Sequence, residues 1–151
     1  MSEMKNFNKE FVERTLTIID EYKNDNERKY DVTLLLNCLC GLVTLPIERK
    51  KDKDDDSINK FKRKCVNELK KECEEYNFHK RSFKNSFRSI RNAIAHLHIE
   101  VSNAEQKINI IQLTDYNDGK SNKPEIFKII IKVEKLEEFA KFVATEYLKI
   151  I

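Results

Sequence analysis

Residues 32–47, VTLLLNCLCGLVTLPI, run for sixteen positions without a charged side chain. Asp, Glu, Lys and Arg make up 36% of the whole chain, so in water the rest of the polypeptide must wrap this segment. It is shorter than the roughly 20 residues that span a bilayer as a helix, and it carries Asn37 and a terminal Pro46. The expectation is a fully buried central helix over about 30–45, closed with the help of Pro46. Only two glycines and two prolines occur in 151 residues, too few breakers for an all-β fold of many tight turns. Long helices in a single domain are the expected frame, and a 40% apolar fraction is enough to give them a core.

Apolar residues elsewhere recur at the three-and-four spacing of amphipathic helices. Residues 5–24 carry Phe7, Phe11, Val12, Thr15, Ile18, Ile19 and Tyr22. Residues 57–76 carry Ile58, Phe61, Cys65, Leu69, Cys73 and Tyr76. Residues 80–97 carry Phe83, Phe87, Ile90, Ile94 and Leu97 within one narrow arc, a stripe that must face the core. The spacing then changes. IFKIIIKV, residues 126–133, alternates Phe127, Ile129, Ile131 and Val133 with Lys128 and Lys132, which is the period of a strand. KINIIQL, 107–113, reads as its partner across the polar loop 114–125, and HIEV, 98–101, as a short third strand. Helical spacing returns through Leu136, Ala140, Val143 and Tyr147. The predicted protein is mainly α: a helical core over 5–97, a small antiparallel sheet over 98–133 and a closing helix over 134–150.

The net charge of +3 is small beside 29 basic and 26 acidic side chains, so charge alone does not assign a nucleic-acid partner. ERKKDKDDDS, 48–57, mixes both signs and reads as a solvated connection. Cys38, Cys40, Cys65 and Cys73 form no C-x-x-C pair, and no secretory signal precedes them. They are expected to be core thiols in a reducing cytoplasm, with no membrane involved.

The fourth helix holds the candidate site, within SFRSIRNAIAHLHIEV, 86–101. With the core stripe at the bottom of the helical wheel, Arg91, Ala95, Arg88, Asn92 and His96 follow one another around the opposite side. Arg91 and His96 lie about 140° apart, as the edges of a face with a small residue near its middle. Such a face suits a second copy across a two-fold axis, which would gather two arginines and two histidines in one positive cleft. An arginine fork grips phosphate, and histidine moves protons near neutral pH. The same residues also suit a plain surface: a solvated arginine and a favourable charge at a helix C-terminus. His96 and His98, two apart on an extended chain, further admit a metal, although no obvious third ligand stands nearby.

IRNAIAH, 90–96, resembles the signature of the HEPN superfamily (higher eukaryotes and prokaryotes nucleotide-binding domains): an arginine, a polar residue, a spacer and a histidine, here Arg91, Asn92 and His96. FVERTLTIIDEY and VTLLLNCLCGLVTLPIERK resemble the plasmid-borne, toxin-like branch, and the likeness covers about residues 7–150. It implies a four-helix HEPN bundle that dimerises, with a small sheet before the last helix. It also implies metal-independent RNA cleavage without a cofactor, in toxin–antitoxin or defence systems with a cognate antitoxin or other regulatory partner. Arg91 and His96 become the catalytic pair and Asn92 the polar helper, with Arg88 and His98 as further RNA-binding candidates. Some HEPN domains only bind RNA, nucleotides or proteins, which is the alternative function. One position departs from the branch paired with nucleotidyltransferase antitoxins: His98 stands where that branch has tyrosine.

Overall fold

The computed structural model describes residues 2–23, 31–48, 56–78, 86–104 and 107–151. Among the described residues, five α-helices and four strands follow in chain order: α1 (Ser2–Lys23), α2 (Asp31–Glu48), α3 (Asp56–Glu72), β1 (Glu75–Phe78), α4 (Ser86–Ala95), β2 (Ile99–Ala104), β3 (Lys107–Tyr116), β4 (Glu125–Lys132) and α5 (Val133–Leu148). The greater part of the expected charged connection 48–57, and Phe83 of the expected stripe, lie outside the described residues.

Helix α2 is central, as its composition requires. It packs against α1, α4 and α5, with Leu39, Leu42 and Val43 essentially inaccessible. It is not buried all round: Thr33 and Asn37, one turn apart, face solvent. It also runs two residues past Pro46, a residue with no N–H to give to the carbonyl four positions earlier. Gly41 lets α1 come close, since a Cβ there would stand 2.9 Å from the Phe11 ring. On α1 the buried line is Val12, Thr15 and Ile19. Phe7 is 63% exposed, beyond the surface that α2 and α5 cover.

The sheet is antiparallel throughout, in the order β1-β4-β3-β2. The alternation in IFKIIIKV sends Phe127, Ile129 and Ile131 inward and Lys128 and Lys132 to the other face. Ile111 and Leu113 of β3 join them, and α5 closes the layer with Leu136, Phe139, Ala140, Val143 and Tyr147. Phe61, Phe87 and Tyr147 bring α3, α4 and α5 together, with ring centroids 5.6 and 5.4 Å apart. Around the rim, Lys141 reaches Asp20 at 2.6 Å and Lys135 reaches Glu72 at 3.4 Å, linking α5 to α1 and α3.

Three further expectations need correction, beyond those on α2 and Phe7. The sheet is not confined to one insertion before the last helix, because EYNF leaves α3 and adds β1 beside β4. Helix α3 therefore ends at Glu72 rather than near Tyr76. Tyr76 fits both periods in sequence; edge-on contacts of Tyr76 and Phe78 with Phe127, at 5.8 and 5.4 Å, favour the strand. Leu97 does not belong to the core stripe: it is 79% exposed with φ +56°.

Candidate functional site

Helix α4 ends in a tightly defined cap. The His96 amide still donates to the Asn92 carbonyl, at 2.9 Å. The Leu97 amide then donates back to Ile94, at 3.1 Å, and the His98 amide to Ala93, at 2.9 Å. These two bonds, with a left-handed Leu97, are a Schellman motif that satisfies the last helical carbonyls. Glycine usually fills this left-handed place. Here a leucine does, and the chain turns sharply into β2. The Thr114 amide donates to the His98 carbonyl at 3.1 Å, joining the turn to β3. His96 is thus held at the helix end and His98 at the sheet.

The side chains behind this turn form a polar seam between α4 and β3. Ser89, on the buried side of α4, donates to Asp115 Oδ2 at 2.9 Å. Asn92 Nδ2 lies 3.5 Å from the same oxygen. Asn92 Oδ1 accepts from Arg91 Nη2 at 3.2 Å. Asn92 and His96 lie one turn apart on the same side of the helix. The Arg91–Asn92 bond therefore ties the guanidinium to the residue one turn before His96.

His96 is exposed but not unconstrained. Its ring lies nearly parallel to that of His98, with centroids 5.9 Å apart. A Cβ placed on Gly119 would stand 3.1 Å from His96 Nε2, so the short 3-10 turn Asn117–Gly119 borders the imidazole. His98 is half-buried, and the Tyr116 ring meets it edge-on at 4.9 Å. Its Nδ1 is buried with no hydrogen-bond partner among the described residues.

Arg91, Asn92, His96 and His98 are thus all placed at the C-terminal end of α4 or just beyond it. Arg88 lies one turn earlier and is half-buried, and Ala95 is exposed. Ser89, Asp115, Tyr116 and Gly119 had no place in the sequence-based site. A serine within a core arc and an aspartate ending an isoleucine-rich strand were the signals that could have found two of them. Among the described residues no three His, Cys, Asp or Glu side chains are grouped to hold a metal ion. All four cysteines are free; burial pushes the Cys73 thiol up to about 12 and raises those of Cys65 and Cys38. No described helix is long and apolar enough to cross a membrane.

No curated protein and no solved structure matches the chain. The family model described as HEPN pEK499 p136 matches residues 1–151. With Arg91, Asn92 and His96 gathered at the end of a helix packed on a central apolar one, this chain belongs to that HEPN family.

Proposed function

We propose that this chain, as a single HEPN-like domain, is a metal-independent RNA endonuclease that works as a homodimer. The observation that carries the reading is the Arg91–Asn92 hydrogen bond, which holds a phosphate-gripping group on the residue one turn before an exposed histidine. In the proposed reaction one His96 imidazole removes the proton from an RNA 2′-hydroxyl. That oxygen attacks the adjacent phosphorus, and Arg91 stabilises the charge that builds on the phosphoryl oxygens. The P–O5′ bond breaks, and the leaving oxygen takes a proton from the second, protonated imidazole of the dimer. The products are a 2′,3′-cyclic phosphate and a 5′-hydroxyl. Arg88 extends the positive surface along the RNA backbone, and His98 lines it. Exposed Ala95 leaves room for the second helix at the two-fold axis. A cytoplasmic toxin or defence role, restrained by an antitoxin or another regulatory protein, is the setting that family membership supports.

The test is cleavage of mixed RNA in EDTA. Wild type should cut, and Arg91→Ala and His96→Ala should each lose roughly a hundredfold or more in rate. A substrate with 2′-deoxy at the scissile position should resist. Equal cutting of the deoxy substrate, or full activity of His96→Ala, would overturn the mechanism. Binding of RNA without cleavage by wild type would instead establish the binding-module function.

A further inference from the structure

Asp115 is the most deeply buried acidic side chain near the site, at 1% exposure. It sits on β3 at a shift in the β3–β4 register, between Asp115 and Tyr116. Its carboxylate is unevenly used. Oδ2 accepts from Ser89 at 2.9 Å and faces Asn92 Nδ2 at 3.5 Å. Oδ1 is buried with no hydrogen-bond partner among the described residues. Burying a carboxylate with one oxygen unpaired opposes folding, so stability does not account for it.

Donor and acceptor chemistry supplies another account. An aspartate carboxylate only accepts hydrogen bonds, and an arginine guanidinium only donates. Asn92 lies between the two. With its NH2 turned to Asp115, its carbonyl oxygen is presented to Arg91, which is the arrangement observed. The reverse orientation would set oxygen against oxygen on one side and N–H against N–H on the other. Asp115 therefore fixes which way the Asn92 amide faces, and the amide fixes where the guanidinium lies. Ser89 holds the carboxylate from the helix side.

We propose that Asp115 is a positioning residue that acts through Asn92 to aim the Arg91 guanidinium at the scissile phosphate. The inference rests on the reading that Arg91 stabilises that phosphate. Asp115→Asn is the informative change because it keeps the shape. Its amide can offer N–H to Asn92 Oδ1, turn the Asn92 amide over and set donor against donor at Arg91.

The experiment has two arms, on protein whose fold is verified by circular dichroism. In the kinetic arm, Asp115→Asn should lower kcat for RNA cleavage about 10–100-fold with KM within about twofold, the pattern of an interaction made in the transition state. In an Asn92→Ala background the same substitution should cost less than about twofold more, since the link is already cut. A full additional loss in that background, or an unchanged kcat in the single variant, would overturn the proposal. In the second arm, the Arg91 Nε–Hε NMR signal, identified by its loss in Arg91→Lys, should shift and exchange several-fold faster with water in both Asp115→Asn and Asn92→Ala. An unmoved signal would overturn the proposal without reference to activity. If wild type does not cleave RNA, the endonuclease reading fails and the NMR arm alone decides whether Asp115 positions Arg91. Asp115→Ser, which also leaves the amide unconstrained, replaces Asp115→Asn in both arms should the latter not fold.

Discussion

Leu97 gives the sharpest quantitative test of the structure. As a member of the α4 core stripe, its truncation to alanine would open a cavity and cost about 2–5 kcal/mol. Observed at 79% exposure, it has only about a fifth of its surface to lose, or about 0.5 kcal/mol of the roughly 2–3 available to a fully buried leucine. Leu97→Ala should therefore cost under about 1 kcal/mol. Leu97→Gly loses the same contact and adds about 0.4–1 kcal/mol of unfolded-chain entropy. Against this it relieves a left-handed backbone, at φ +56°, that disfavours any residue with a Cβ by about 1–2 kcal/mol. The glycine variant should end about 0.5–1 kcal/mol more stable than the alanine variant. In a domain of this size that is a difference in Tm of about 2–3 °C. Urea melts of the three proteins, with unchanged m values, read it directly. A loss of 2 kcal/mol or more for Leu97→Ala would mean that the leucine is packed after all. An alanine variant as stable as the glycine one would refute the left-handed cap.

Ile94→Ala, at a position only 6% exposed one turn after Ile90, should cost about 2–5 kcal/mol, measured in the same melts; a loss under 1 would contradict the packing of α4. Gly119→Ala should cost about 1 kcal/mol because φ is +69° there. Its new Cβ should also displace the His96 ring and lower RNA cleavage about tenfold, and unchanged kinetics would show that the turn does not constrain His96. Hydrogen bonds from Lys149 and then Lys64, at 2.8 and 2.9 Å, hold the Glu146 carboxyl below its usual range. A depressed carboxyl pKa stabilises the fold above the unfolded value of about 4.3, and that contribution is lost as pH falls through the folded pKa. Wild type should exceed Glu146→Gln by about 0.5 kcal/mol at pH 7, after solvent screening at the exposed lysines, and the gap should close as pH falls from about 4.3 through the folded pKa; a gap that stays constant throughout acid titration would rule out the ionic origin.

Sequence spacing was sufficient where one residue's neighbours along the chain decide its environment. The uncharged run 32–47 had to be central. The alternation in IFKIIIKV had to put Phe127, Ile129 and Ile131 on one side of a strand. Arg91, Asn92 and His96 were legible because all three stand within two turns of a single helix. Tertiary structure decided the rest. Tyr76 fits a last helical turn as well as a strand, and only the free edge of β4 and the Phe127 ring select the strand. Leu97 fits the core arc, but the chain must leave α4 there to reach β2, and that reversal sends its side chain to solvent. The seam from Ser89 through Asp115 and Asn92 to Arg91 joins residues up to 26 positions apart. No local pattern encodes it, because a hydrogen bond between a helix and a strand depends on how the two pack, and packing is a property of the whole core.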